Sequence, residues 1–195
     1  MKSDAGQANK VRIIGGSLRG RRVEFPARPG LRPTSERIRE TLFNWLQREI
    51  PGARCLDLFA GSGALGIESL SRGASAVDFV EADSKVCDRL RENLHKLNLG
   101  KAQVYQGRAL DWIQARSNCV AIYQIAYLDP PYAGASLPAV AASLDSSGLL
   151  AASARVYMEH SAPLDSEVMP ASWTELKSKR AGQVYYYLYA SPKSE

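Results

Sequence analysis

Apolar and polar residues along this chain follow two different periods, and the change from one to the other divides it. Residues 11–14 and 22–25 are short β-prone runs with Gly15, Gly16 and Gly20 between them, which predicts a hairpin. Pro26, Pro29, Gly30 and Pro33 predict an extended connector. Thr34 and Ser35 are candidate N-caps for a helix with Ile38, Leu42, Trp45 and Leu46 on one face, ended by Pro51-Gly52.

Beyond that point strands and helices alternate. Strands are predicted over residues 54–58, 76–80, 102–105 and 122–128, and helices over 63–72, 84–97 and 137–144. The second helix carries Val86, Leu90, Leu94 and Leu97 on one face, with Gly100 as its stop. Repeated βα units imply a parallel sheet covered on both faces by helices. The end of the chain differs: a short strand over 156–159 precedes runs 173–179 and 183–189, separated by only a few residues. A parallel return needs a dozen or more residues, so these two strands are antiparallel. The predicted α/β sheet therefore has seven strands, mostly parallel, with an antiparallel hairpin at its end. The expected organisation is a tail over 1–9, a basic hairpin and helix over 10–50, and the α/β domain over 51–195.

Composition changes this picture little; charge changes it more. Residues 1–54 carry a net +7 and residues 55–195 a net −2, so all the excess positive charge lies in the first quarter. This asymmetry suits an arm that meets nucleic acid beside a near-neutral body. Candidate RNA contacts are Thr34 and the arginines Arg12, Arg19, Arg21, Arg22, Arg32, Arg37 and Arg39, whose planar guanidinium matches phosphate and positions it without reading sequence. Cys55, Cys87 and Cys119 are scattered and form no C-x-x-C pair, which speaks against a disulfide framework or zinc site and for a reducing cytoplasm. His95 and His160 suggest no metal centre. No stretch approaches the ~20 apolar residues of a bilayer span, and the polar start does not read as a signal peptide.

The glycine-rich run Asp57-Leu58-Phe59-Ala60-Gly61-Ser62-Gly63-Ala64-Leu65-Gly66 leaves one strand and opens a helix. Gly61 and Gly63 permit a sharp turn and close approach to a ligand, and Gly66 lets the helix pack on the sheet. Glu81, followed by Ala82, ends the next strand, where a carboxylate accepts from ribose hydroxyls. The pair points to an adenosine-containing cofactor. Asp57 at the loop disfavours the pyrophosphate of a dinucleotide and favours S-adenosylmethionine, which carries an ammonium and a sulfonium instead.

Asp129-Pro130-Pro131-Tyr132 follows another apolar strand, at the sheet edge where open α/β folds bind ligands. An exocyclic base amine is a poor nucleophile because its lone pair is delocalised into the ring. Asp129 accepts one of its N–H groups and the Pro130 carbonyl the other, turning the lone pair towards the methyl donor. The two prolines stiffen the turn, and Tyr132 offers a stacking face for an extruded base.

Arg32-Pro-Thr-Ser-Glu-Arg37, the run from Asp57 to Glu68, Leu128-Asp-Pro-Pro-Tyr132 and Glu159-His160 together resemble the bacterial 16S rRNA guanine-N2 methyltransferases of the RsmD type, from about Arg12 to the last strand. The resemblance implies the class I S-adenosylmethionine-dependent methyltransferase fold, Rossmann-like, with a small N-terminal hairpin extension. It implies methyl transfer to N2 of one guanine in 16S rRNA, in the small ribosomal subunit or its assembly intermediate. Nothing in the sequence demands a dimer, so a monomer is expected. It also implies that the hairpin and the segment from Arg32 to Arg37 face RNA. The other readings weighed were a DNA adenine-N6 methyltransferase, for which the chain lacks room for a duplex-reading domain, an NAD-dependent oxidoreductase and a non-catalytic RNA-binding protein. One departure stands out: where similar enzymes carry Gly-Asp-Ala for the adenine amino group, this chain has Gly107-Arg108-Ala109, leaving the backbone N–H near Ala109 as the adenine contact. An Arg108→Asp variant is therefore expected to bind S-adenosylmethionine more tightly by calorimetry, and unchanged or weaker affinity would count against that contact.

Overall fold

The computed structural model describes residues 9–28, 33–117, 122–131 and 136–192. The chain begins with the hairpin β1 (Asn9–Arg12) and β2 (Arg22–Phe25), followed by α1 (Glu36–Trp45). The main body runs β3 (Arg54–Asp57), α2 (Ala64–Ser71), β4 (Ala76–Glu81), α3 (Ser84–Lys96), β5 (Ala102–Gln106), α4 (Ala109–Gln114) and β6 (Tyr123–Leu128). It closes with α5 (Leu137–Ser146), β7 (Leu150–His160), β8 (Thr174–Ala181) and β9 (Val184–Ala190). The seven-stranded sheet has the order β5-β4-β3-β6-β7-β9-β8. β3 pairs in parallel with both β4 and β6, and β7 in parallel with β6, whereas β9 is antiparallel to β7 and β8. The expected mostly parallel sheet with an antiparallel end is what forms.

Three local expectations are corrected. β1 starts at Asn9, inside the stretch read as tail, because its backbone pairs with Phe25. α4 was missed: six residues are too few for a helical period to show, yet Trp112 and Ile113 on it are buried. β7 has 11 residues rather than the four expected, because its first half, Leu150-Ala-Ala-Ser, alternates no apolar pattern and is held by tertiary bonds: Leu150 pairs with β6 ahead of a register shift, and the Ser153 N–H donates to the Pro192 carbonyl. Of the cysteines, Cys55 and Cys87 are buried free thiols, and Cys119 lies outside the described residues.

Each face of the sheet has its own core. One is filled from the hairpin, α1, α2 and α3, with Val11, Val23, Phe25, Leu42, Phe43 and Ile67 among its members. The other is filled by α4 and α5 through Trp112, Ile113, Val140 and Leu144. β9 serves both, since alternate strand residues face opposite sides: Tyr186 and Leu188 join the first core, and Tyr187 and Tyr189 the second. The N-terminal segment is therefore part of the core rather than an arm attached to it. Trp45 stacks on Tyr186 at 5.5 Å between ring centres.

Polar bonds hold this segment as firmly. The Glu68 carboxylate of α2 is wholly buried. It accepts from the Ile14 backbone N–H at 2.8 Å, from Arg72 Nε at 2.8 Å and from Arg39 at 3.5 Å. Ser71, one turn on, donates to the Gly15 carbonyl and accepts from the Leu18 N–H. α1 is capped as expected, with Ser35 accepting from the Ile38 N–H. Glu68→Ala leaves two guanidinium groups without their counter-charge, so it is expected to destabilise the fold by about 3–5 kcal/mol in urea unfolding. Arg12→Ala, which breaks only the exposed pair with Glu36, should leave the midpoint where it was.

Candidate active site

The C-terminal ends of the parallel strands open into a cleft of about 1140 Å³ beside the point where strand order reverses between β3 and β6. The loop after β3 forms one wall. Gly63 holds a positive φ of 75° at the N-terminus of α2, a conformation open to glycine at little cost. A Cβ there would run into Leu90 of α3, so the turn has room only for glycine. Phe59, Ala60, Gly61 and Ser62 do line the cleft. Gly66 lets α2 lie directly on β4, against Phe79 and Val77.

Glu81 ends β4 and reaches back across the loop. Its carboxylate accepts from the Gly61 N–H at 2.9 Å and from the Asp83 N–H at 2.8 Å, so its position is set by backbone on both sides. Asp57 lines the same wall, but its Oδ2 accepts from the Gly66 N–H at 3.2 Å, and burial pushes its pKa up to about 7. Asp57 thus holds the loop to the first turn of α2. Ala82, Arg108 and Ala109 complete this side, with Ala109 opening α4 and Arg108 at its N-cap position making no capping hydrogen bond. Five carboxylates line the cleft against two arginines, and one of these, Arg28, is paired with Asp83 at 3.2 Å. A ligand with an ammonium and a sulfonium fits that balance better than one with a pyrophosphate.

Asp129, Pro130 and Pro131 form the opposite wall. Burial raises the Asp129 carboxyl to about 6, and the Thr34 hydroxyl, donating to its Oδ2 at 3.2 Å, works the other way. Glu159, at the end of β7, lines the cleft beside them. Burial and the charge of Asp129 push it up to about 8, although it accepts from the Tyr157 hydroxyl at 2.8 Å. In the sequence Glu159 stood out only as part of a motif; its place near the C-terminal end of β7, beside β6, is what brings it to the site. The rim formed by Ala181, Gly182, Gln183 and Val184 of the β8–β9 hairpin had no such signal.

The basic residues divide. Arg39 is corrected: it is fully buried, bonded through Nε to the Thr34 carbonyl at 3.1 Å and paired with Glu68, so it cannot meet RNA. Thr34 is buried in the cleft against Asp129, not on a phosphate-facing surface. Arg12 is exposed but held by Glu36 at 2.7 Å, and Lys10 by Glu24 at 3.2 Å. Arg19, Arg21, Arg22 and Arg37 are exposed and form no ion pair among the described residues. Arg32 and Tyr132 lie outside the described residues.

The sheet order, the glycine loop with Glu81 and the Asp129 turn in one cleft define the class I S-adenosylmethionine-dependent methyltransferase fold, with S-adenosylmethionine as its cofactor. Among known proteins, the family model described as Conserved hypothetical protein 95 matches residues 11–190, and the chain belongs to that family. It is 42% identical over 182 residues to ribosomal RNA small subunit methyltransferase D of Escherichia coli (strain K12), covering 93% of this chain and 90% of that one. It is 40% identical to the protein of the same name from Haemophilus influenzae, over 92% of this chain and 93% of that one. The solved structure of yhhF from Escherichia coli superposes with a TM-score of 0.85 at 40% identity, over 95% of this chain and all of that one. No helix among the described residues is long and apolar enough to cross a membrane.

Gly66→Ala tests the loop's dependence on packing. A Cβ there would overlap the Phe79 ring and press on Val77, and neither can retreat from a filled core. The variant is expected to lose about 1–3 kcal/mol of stability and to weaken S-adenosylmethionine binding, measured by thermal unfolding with and without the cofactor.

Proposed function

We propose that this protein transfers the methyl group of S-adenosylmethionine to the exocyclic N2 of a guanine in 16S ribosomal RNA, working as a monomer in the cytoplasm on the small subunit or its assembly intermediate. The observation that carries this is the meeting, in one cleft, of the Glu81-braced glycine loop and the Asp129-Pro130-Pro131 turn. The names of the relatives support the RNA substrate.

The bound cofactor supplies an electrophilic methyl group on a sulfonium. Glu81 holds the ribose hydroxyls of such a molecule, and the backbone of Gly61 and Ser62 leaves room for its amino-acid end. Asp129 and the Pro130 carbonyl hold the two amine hydrogens, so the nitrogen enters the reaction with its lone pair directed rather than averaged. Methylation leaves the nitrogen with one proton too many, and Asp129 is the group placed to accept it. Its raised pKa brings it nearer to that task than an ordinary carboxylate. The Thr34 hydroxyl keeps the Asp129 carboxylate oriented. Tyr132 stacks on the extruded base in this reading. Arg12, Arg19, Arg21, Arg22, Arg32 and Arg37 contact phosphate around the target in this reading.

Incubation with labelled methyl donor and naked rRNA, small subunits lacking the modification, duplex DNA or no substrate tests the proposal. Label is expected in N2-methylguanosine from the RNA arms, with Asp129→Asn reducing kcat by about 10²- to 10⁴-fold while cofactor binding persists. Label in N6-methyladenine would reassign the base, and no transfer to any substrate would remove the activity.

A further inference from the structure

Glu68 and Glu159 are both buried carboxylates, and the contrast between them is informative. Glu68 is met by three N–H donors from three segments and has an evident structural task. Glu159 is 5% exposed, forms no ion pair among the described residues and ties no distant segments together through its hydroxyl partner, which comes from its own strand. A carboxylate has about four acceptor positions, so the one hydroxyl of Tyr157 leaves most of it unused. Burying such a group is unfavourable unless donors meet it. The open side of Glu159 is the cleft.

Its place relative to Asp129 is set by the sheet. β6 and β7 are parallel and in register, with Leu128 opposite Met158. Asp129 and Glu159 are each the next residue along, side by side at the same sheet edge. We infer that Glu159 is the residue that reads the target base: its carboxylate accepts the ring N1–H of guanine while Asp129 accepts a hydrogen of the neighbouring N2 amine. This rests on the reading of guanine N2 as the methyl acceptor. Guanine presents ring N–H and exocyclic amine next to each other, a run of donors that suits two adjacent carboxylates. Adenine and cytosine have an exocyclic amine too, but the ring nitrogen beside it is an acceptor, which a carboxylate repels. Such a site rejects the wrong base by leaving buried acceptors unpaired, the strongest form of discrimination available to hydrogen bonding. Without the base the two carboxylates disfavour each other's charge; the N–H groups of guanine relieve that.

Glu159 must be ionised to accept from N1–H. The groups that face it are Asp129 after β6, Tyr157 on its own strand, Tyr186 opposite it on β9 and Thr34 from the N-terminal segment. The first disfavours its charge, and the Tyr157 hydroxyl, donating to it, favours it. Because the folded-state value is raised, the group is protonated at low pH and kcat/KM should climb as pH rises through the upper titration of the pair.

The test uses the full chain and small subunits lacking the modification, with kcat/KM followed from about pH 5 to about pH 9. Glu159→Gln is expected to lower kcat/KM about 10- to 100-fold, the worth of a hydrogen bond to a charged group. It should also remove the upper limb of the profile while cofactor affinity by calorimetry stays unchanged. Tyr157→Phe removes one donor to Glu159 and should move that limb to higher pH. A Glu159→Gln variant with wild-type kcat/KM and profile overturns the inference. If that variant binds no cofactor, an unmoved limb in Tyr157→Phe overturns it instead. Nucleoside analysis of the wild-type product separates the two readings: label on another base sinks the guanine assignment, whereas label on guanine N2 with an unaltered variant profile sinks only the role of Glu159.

Discussion

A single hydrogen-bonded chain runs from the buried carboxylate of Glu68 to the cleft, and most of the site's geometry depends on it. Glu68 binds Arg39, Arg39 binds the Thr34 carbonyl, and the Thr34 hydroxyl binds Asp129. The links span 3.1 to 3.5 Å, and the first two are buried, where electrostatic interactions weaken least. The N-terminal segment is thereby locked to α2 at one end and to the Asp129 turn at the other.

This changes what the positive charge of the first quarter means. Part of it neutralises carboxylates of the fold: Arg39 with Glu68, Arg28 with Asp83, Arg12 with Glu36, Lys10 with Glu24. Five arginines, at positions 19, 21, 22, 37 and 48, remain exposed without an ion pair among the described residues. They sit on a segment whose other face is core, so any phosphate they bind is held at a set distance from the cleft. β8, by contrast, closes the sheet with an edge whose residues from Thr174 to Arg180 are all exposed, and its Lys177, Lys179 and Arg180 discourage pairing with another strand.

The acidic cleft follows a similar economy of placement. Glu81 is oriented by two backbone N–H groups, Asp57 by one, Asp129 by a threonine and Glu159 by a tyrosine. Each carboxylate has a partner that orients it without neutralising it. A cationic cofactor and a base rich in N–H donors are the kinds of ligand such a cleft suits.

What the sequence alone determined was the architecture and the two loops that carry the chemistry. Glycine and proline act locally, through φ and missing N–H groups, so the Gly61–Gly66 turn and the Asp129-Pro130-Pro131 turn were legible wherever they stood. Alternation of strands and helices, with too short a link between the last two strands, was enough for the sheet. Tertiary structure alone decided which charges are used inside. Arg39 and Arg37 look alike in sequence, yet two helical positions apart they face core and solvent. Thr34 meets Asp129 across 95 residues, and Glu159 stands beside Asp129 only because β7 pairs with β6. α4 and the first half of β7 were equally hidden, since short or unpatterned segments take their form from what they pack against. Burial and long-range pairing are properties of the assembled core, and no local pattern encodes them.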